Sequence, residues 1–184
     1  MRLRWRLVIA GAVAASISLG VYIGTVNREA RAPESTISEA AISHFFAARL
    51  NDSNGKPQPL SQWQGKTLVI NFWATWCPPC REEMPAFSRL QTKHAANGVQ
   101  FVGIALDTPE NVSLFQKQYA ASYPLLMAES EGIELSQQLG NYRLALPYTV
   151  VIGADKKSRL TQLGRVSERE LDKLLGMIAL QNKR

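Results

Sequence analysis

Residues 68–85, with the sequence LVINFWATWCPPCREEMP, contain the clearest structural pattern in the chain. The segment begins with a nearly continuous run of apolar residues, which is typical of a strand buried on both faces. Cys77-Pro78-Pro79-Cys80 follows, and Arg81-Glu82-Glu83 then opens a segment with helix-forming residues. The pattern predicts a buried strand, a pair of cysteines at its end, and a helix that begins beside them.

The two cysteines are the only ones among the 184 residues. A C-x-x-C pair at a strand-to-helix junction is typical of a redox-active disulfide. A thiol attacks as its thiolate, and the N–H groups at a helix N-terminus stabilise that negative charge. Pro78 and Pro79 suit the first helical positions, where no N–H partner is needed. We therefore expect Cys77, at the helix N-cap, to be the nucleophile and Cys80 to resolve the mixed disulfide.

Two other uses of this cysteine pair fit the sequence less well. A purely structural disulfide would close a very small loop, which restrains the unfolded chain least. A zinc site needs about four ligands, and the chain adds only His44 and His94, which are not at a paired spacing. We therefore expect no metal and no cofactor.

The N-terminal part of the sequence predicts a membrane segment. Residues 7–26 carry no charge, and they follow Arg2, Arg4 and Arg6. Such a run is long enough to cross a bilayer, whereas the apolar core of a cleaved signal peptide is usually about 7–15 residues long. Residues 1–26 are therefore interpreted as an uncleaved anchor, with a signal peptide as the alternative. The excess of arginine before the span predicts a single-pass protein of the inner membrane whose catalytic part faces the periplasm.

Residues 27–40 are predicted to be a linker without a confident helix, and residues 41–184 the folded domain. A turn-rich segment, 51–57, between the apolar segments 45–50 and 58–60 predicts a hairpin. Further strands are predicted at 67–73, 99–106, 123–127, 148–152 and 159–163. Helices are predicted from the cysteines to 96 and at 110–121, 133–139 and 167–178, the last with a capping box formed by Ser167 and Glu170. This order predicts an α/β domain with a mixed sheet covered on both faces.

The charge distribution does not indicate a nucleic-acid partner. Five of the 21 basic residues flank the uncharged run, and from residue 33 onward the basic residues exceed the acidic ones by only two. No cluster of Lys and Arg with interleaved aromatic residues is present. The net charge of +6 therefore reflects mainly the flanks of the predicted anchor.

The segment NFWATWCPPCREEMP resembles the active-site segment of the membrane-anchored, thioredoxin-like thiol-disulfide oxidoreductases of the TlpA/ResA/CcmG type. The similarity extends from about residue 45 to residue 184 and includes the hairpin, an insertion around 110–127 and Leu146-Pro147-Tyr148-Thr149 before a late strand. The resemblance implies a thioredoxin-like fold, in which helices flank a mixed central sheet with an N-terminal β-hairpin and a central insertion.

The resemblance also implies residues that bind a client protein. In this family the proline before the late strand is cis and faces the disulfide, a position that Pro147 matches, and Leu146 would offer its backbone to a client strand. A plain trans proline at a strand entry is the alternative. Trp76 and Pro78, beside the cysteines, are the other expected client-binding residues.

A further implication concerns two acidic positions. Thioredoxin carries a buried Asp six residues before its first cysteine, where this chain has Asn71. ResA-like members instead use a Glu three residues after the second cysteine, a position that Glu83 occupies and that lies on the same helix face as Cys80. Glu83 is thus a candidate for proton relay to the resolving thiol, with a solvated carboxylate as the open alternative. Glu82 is expected to be solvated.

The function implied by the resemblance is that of an extracytoplasmic protein-disulfide reductase. It would receive electrons from a membrane thiol reductase of the DsbD/CcdA type and reduce oxidised client proteins, among them apocytochrome c during cytochrome c maturation. An oxidase that donates disulfides shares the fold and remains an alternative. A thioredoxin-fold peroxidase would need the spacing T-x-x-C, whereas Thr75 and Cys77 give T-x-C. A copper-site assembly factor would need C-x-x-x-C and a later His, and the chain has C-x-x-C and no His after His94.

Overall fold

The computed structural model of the chain describes residues 37–182. The predicted anchor, residues 1–26, and the part 27–36 of the predicted linker 27–40 lie outside the described residues. Within the part of the chain that the structure describes, no helix combines the length and apolar character needed to cross a membrane.

Five α-helices and seven strands form the described part of the chain. In chain order they are α1 (Glu39–Ala47), β1 (Arg49–Asp52), β2 (Pro57–Pro59), β3 (Thr67–Trp73), α2 (Pro78–His94), β4 (Val99–Ala105), α3 (Pro109–Gln118), β5 (Leu125–Met127), α4 (Ser130–Gln138), β6 (Tyr148–Ile152), β7 (Ser158–Leu163) and α5 (Glu168–Gln181). Short 3-10 helices follow β2 and α2, at Leu60–Trp63 and Ala95–Asn97.

The strands form one sheet in the order β2-β1-β5-β4-β3-β6-β7. Strand β3 pairs in parallel with β4 and antiparallel with β6, and the hairpin of β1 and β2 joins the sheet through an antiparallel pairing with β5. The predicted mixed sheet with an N-terminal hairpin is confirmed.

Apolar side chains fill both faces of the sheet. Strand β3 is buried along its whole length, and alternate residues belong to two different clusters. Phe87 of α2 and Leu171 of α5 lie in one cluster, and Phe45 of α1 and Leu135 of α4 lie in the other. Helices therefore cover both faces, as the near-continuous apolar sequence of β3 predicts.

The structure differs from the prediction at the N-terminal edge of the domain. Glu39–Ala47 is helical, so the first hairpin strand begins at Arg49 and the helix enters the predicted linker. Ser38 caps this helix, since its hydroxyl accepts a 3.1 Å hydrogen bond from the N–H of Ala41. Ile42, Phe45 and Phe46 are all buried. This i, i+3, i+4 spacing is helical, and the prediction that 45–47 belong to a hairpin strand was wrong.

The start of α5 also differs from the prediction. Ser167 is the N-cap residue, but its side chain accepts no capping hydrogen bond, so the predicted capping box is not formed. Glu168 instead accepts two hydrogen bonds from Arg89 of α2, and Asp172 pairs with Lys93. At the start of α5, ion pairs with α2 are present where the sequence predicted a local cap.

Candidate functional site

The cysteines lie where α2 begins. Cys77 is the N-cap residue, and Pro78 and Pro79 occupy the first helical positions, as predicted. The helix starts at once, since the N–H of Arg81 donates a 3.3 Å hydrogen bond to the carbonyl of Cys77. Cys77 therefore lies at the positive end of the helix dipole, which favours a negative charge on its sulfur.

The two sulfurs form a disulfide with an S–S distance of 2.05 Å. Cys77 keeps 4% of its surface exposed, whereas Cys80 is completely buried. An attacking thiol must reach a client, and a resolving thiol needs to reach only Cys77. The roles of Cys77 as nucleophile and Cys80 as resolving cysteine stay predictions, and the small difference in exposure has the direction that they require.

Strand pairing places Pro147 at the end of β3 that leads to the redox pair. It directly precedes β6, and β6 pairs with β3 so that Tyr148 lies opposite Phe72, close to the end of β3 from which the chain continues to the cysteines. The Leu146–Pro147 peptide bond is cis, which is the isomer that the resemblance implies. Leu146 packs against the cluster that contains both cysteines. Its backbone contact with a client remains a prediction.

The aromatic residues around the cysteines separate into exposed and buried ones. Trp76 is 68% exposed and Pro78 is also exposed, which leaves both accessible to a client protein. Phe72 and Trp73 are fully buried and Trp63 is 6% exposed. These three side chains pack in the core, and client binding by the two exposed residues stays a prediction.

Glu83 is buried in the domain, so the solvated alternative is wrong for this residue. Only 2% of its surface is exposed. Its Oε1 accepts a 2.8 Å hydrogen bond from the side chain of Asn71, and its Oε2 accepts a 3.2 Å bond from the N–H of Val166. Glu82 is exposed and pairs with Arg165 at 2.7 Å. Two neighbouring glutamates thus have opposite environments, because successive residues of a helix point in different directions.

The surroundings of Glu83 change its acidity. Burial raises the pKa of Glu83 from 4.5 to about 7, although the hydrogen bonds from Val166 and Asn71 and the charge of Arg165 act in the opposite direction. Both protonation states are therefore populated near neutral pH. A carboxyl with this pKa, one helical turn after Cys80, can accept a proton from a thiol and return it.

Asn71 connects Glu83 to the strand that follows Pro147. Its Nδ2 donates to Glu83 and also, at 3.1 Å, to the hydroxyl of Thr149, which lies opposite Asn71 in the β3–β6 register. In the sequence, Asn71 is notable only because it occupies the position of thioredoxin's buried Asp. The contacts of Thr149 and Val166 could not be predicted. Nothing in the sequence shows which residue of β6, or of the segment just before α5, will face Asn71 and Glu83.

Comparisons with known proteins agree with this geometry. Residues 28–177 match the family model described as Redoxin. The thiol-disulfide oxidoreductase ResA of Bacillus cereus is 30% identical over 180 residues, which are 96% of each chain. The protein of the same name from Bacillus subtilis is 28% identical over 156 residues, covering 84% of this chain and 83% of the relative.

Solved structures show the same relationship. A thiol:disulfide interchange protein of the thioredoxin family from Chlorobium tepidum is 31% identical, with a TM-score of 0.64, over 72% of this chain and 92% of the other. A thioredoxin-related protein from Neisseria meningitidis is 35% identical, with a TM-score of 0.63, over 70% and 97%. The chain therefore belongs to the Redoxin family and is a thioredoxin-like thiol-disulfide oxidoreductase of the TlpA/ResA/CcmG type.

Proposed function

We propose that the protein is an extracytoplasmic protein-disulfide reductase, anchored in the inner membrane, that reduces disulfides in oxidised client proteins. The observation that carries the proposal is the buried carboxyl of Glu83, with a pKa of about 7, on the helix that holds both cysteines. A reductase must ionise its buried second thiol to release the client, and Glu83 supplies the base.

In the first step the Cys77 thiolate attacks one sulfur of the client disulfide. A bond forms between this client sulfur and Cys77, the client S–S bond breaks, and the released client thiolate takes a proton from solvent. The N-cap position of Cys77 favours the attacking thiolate. The exposed surfaces of Trp76 and Pro78 are where the client would lie.

In the second step Cys80 resolves the mixed disulfide. The Glu83 carboxylate accepts the proton of the Cys80 thiol, and the thiolate attacks the sulfur of Cys77. The Cys77–client bond breaks, the client leaves with both sulfurs reduced, and the Cys77–Cys80 disulfide forms. Two electrons have passed from the protein to the client, and a membrane thiol reductase of the DsbD/CcdA type would return them.

The client and the location rest on sequence patterns and on the family. The uncharged run 7–26 after three arginines supports an anchor with the catalytic domain on the periplasmic side. The relatives named ResA support exchange with protein disulfides. The resemblance to the TlpA/ResA/CcmG type supports cytochrome c maturation, with apocytochrome c as the client.

The midpoint potential of the Cys77–Cys80 pair tests the direction of electron flow. The full chain would be equilibrated in thiol buffers of graded potential, and the fraction of disulfide measured. We expect a value near that of thioredoxin, about −270 mV, for a protein that donates electrons. A value near that of DsbA, about −120 mV, would overturn the proposal and favour disulfide donation.

A Glu83→Gln variant tests the role of the carboxyl. Glutamine keeps the size of the side chain but accepts no proton, so release of the client from the mixed disulfide should slow while attack by Cys77 does not. Glu82→Gln, which removes an exposed carboxylate one residue away, is the matched control. Equal release rates in the two variants would contradict a proton relay through Glu83.

A further inference from the structure

Asp107, the second residue after β4, is a buried carboxylate that takes no part in the steps of thiol-disulfide exchange described above. It is 8% exposed and accepts hydrogen bonds from four donors. One oxygen, Oδ2, accepts from the backbone N–H and the hydroxyl of Thr75, and the other, Oδ1, accepts from the N–H of Thr108 and the side chain of Asn111. Burial alone would raise the pKa of Asp107, but the hydrogen bonds from Thr75 and Asn111 outweigh it, so the pKa is lowered and the carboxyl is ionised at neutral pH.

The partner of Asp107 lies in the turn that leads to the cysteines. The N–H of Cys77 donates a 3.2 Å hydrogen bond to the carbonyl of Ala74, which closes a four-residue turn. Thr75 and Trp76 are the two central residues of this turn. Both hydrogen-bond donors of Thr75 bind the same carboxylate oxygen, so the middle of the turn is fixed to the segment that follows β4.

We propose that Asp107 is a positioning residue for the thiol-disulfide exchange, acting through Thr75. By holding the turn, it keeps Cys77 at the N-cap of α2, where the helix stabilises the thiolate, and it sets the direction in which Trp76 is exposed. The inference rests on the exchange reaction at Cys77 and does not depend on whether the protein reduces or oxidises its clients.

The same carboxylate also connects the central insertion to the site. Its Oδ1 accepts from Thr108 and Asn111, which lie at the N-cap and in the first turn of α3. The start of α3 and the turn before Cys77 are therefore bound to opposite oxygens of one side chain. This arrangement gives the insertion a part in the geometry of the redox pair.

The decisive test uses Thr75→Val and Thr75→Ser in the full chain. Valine matches the shape of threonine and lacks the hydroxyl donor, and the charge of Asp107 stays in place. The readout is the rate of reaction of the reduced protein with oxidised glutathione as a function of pH, which gives the pKa of the Cys77 thiol. We expect Thr75→Val to raise this pKa and to slow the reaction at neutral pH by about tenfold, the equivalent of one hydrogen bond to a charged group. Thr75→Ser, which keeps the donor, should restore the wild-type profile.

A second variant examines the carboxylate itself. Asp107→Asn keeps the side-chain size, but an amide has only one accepting oxygen, so its NH2 group must face donors of either Thr75 or Asn111. We expect a slower reaction, and the double variant with Thr75→Val should lose less rate than the two single losses combined, because both variants weaken the contact between residues 75 and 107. Asp155→Asn is the control for loss of an acid, since Asp155 lies in the turn between β6 and β7 and pairs with Arg159.

An unchanged pH profile in Thr75→Val would overturn the proposal. If this variant also lost thermal stability, the contact would be purely structural. This result does not depend on the midpoint potential, so the proposed reductase function and the role of Asp107 can fail independently.

Discussion

The side chain of Asn71 donates a 2.8 Å hydrogen bond to the carboxyl of Glu83, from the central strand to the helix of the cysteines. Both residues are almost completely buried, with exposed fractions of 1% and 2%. An uncharged donor on the strand thus faces the buried carboxyl of the helix. The proton-carrying group therefore lies on α2, and a hydrogen bond from β3 orients it. The acid–base chemistry of the site depends on this contact.

The raised pKa of Glu83 predicts a pH-dependent stability of the oxidised protein. Its carboxyl has a pKa of about 7 in the folded chain and 4.5 as its ordinary value, so the folded state binds more protons between these values. The free energy of unfolding should therefore fall as the pH rises through this window, by up to about 3 kcal/mol. Urea unfolding at about pH 4.5 and about pH 8 measures the change.

Comparison of two variants isolates the contribution of Glu83 to this pH dependence. In Glu83→Gln the free energy of unfolding should change little as the pH rises. In Glu82→Gln it should fall as in the wild type, because Glu82 is exposed. Acids with lowered pKa values, such as Asp107 and Asp155, act at lower pH and are common to both variants. A wild-type profile in Glu83→Gln would contradict the assignment.

An Asn71→Asp variant should shift the titration of the site to higher pH. A carboxyl at position 71 would lie within hydrogen-bond distance of Glu83, and two like charges that close cannot both ionise easily. One of the two pKa values should therefore rise above that of Glu83 in the wild type, and the stability loss should extend to higher pH. Carbon NMR of the carboxyl groups follows both protons directly.

The control for this prediction is Thr149→Val. It removes the other hydrogen-bond partner of Asn71 and adds no charge, so the titration should move far less than in Asn71→Asp. Identical titration curves for the two variants would show that the geometry of Asn71, and not the added charge, controls the acidity.

Trp76→Ala should affect client reduction and leave the fold intact. Trp76 is 68% exposed, so its removal should change the free energy of unfolding by no more than about 0.5 kcal/mol. Turnover of a protein disulfide such as that of insulin should fall, while the reaction with oxidised glutathione stays near the wild-type rate. Equal losses with both substrates would argue against a docking role.

Trp73→Ala is the contrasting variant three residues earlier. Trp73 is fully buried, and its ring lies 5.0 Å from that of Phe115. Its truncation should cost about 3–5 kcal/mol, as for other large core aromatics. Thermal unfolding of the two tryptophan variants distinguishes the exposed residue from the buried one.

Two helical glycines should respond in opposite directions to replacement by alanine. At Gly132 of α4 a Cβ atom would lie 2.5 Å from Leu106 Cδ2 and 2.8 Å from Ala128 Cβ. Gly132→Ala should therefore destabilise the domain by about 1–3 kcal/mol. At Gly176 of α5 the added carbon would meet no atom within 4 Å beyond its chain neighbours and the backbone of its own helix, so Gly176→Ala should stabilise the helix by up to about 1 kcal/mol. Urea unfolding of both variants checks the signs.

The sequence by itself determined the local features of this protein. The buried strand Thr67–Trp73, the N-cap position of Cys77 and the helical prolines were predicted, because apolar periodicity, capping and proline geometry act over a few residues. Gly98, with φ of 76°, ends the short 3-10 helix that follows α2, and this stop was predictable for the same reason.

Tertiary structure alone decided whether Glu83 was solvated or buried. Its two hydrogen-bond donors, Asn71 and Val166, lie 12 and 83 residues away, and the bond from Thr75 to Asp107 spans 32 residues. Such pairs depend on strand order and register, which follow from the packing of the whole sheet and leave no local pattern. The identity of the reactive groups was therefore readable from the sequence, and their protonation and orientation were fixed only by the fold.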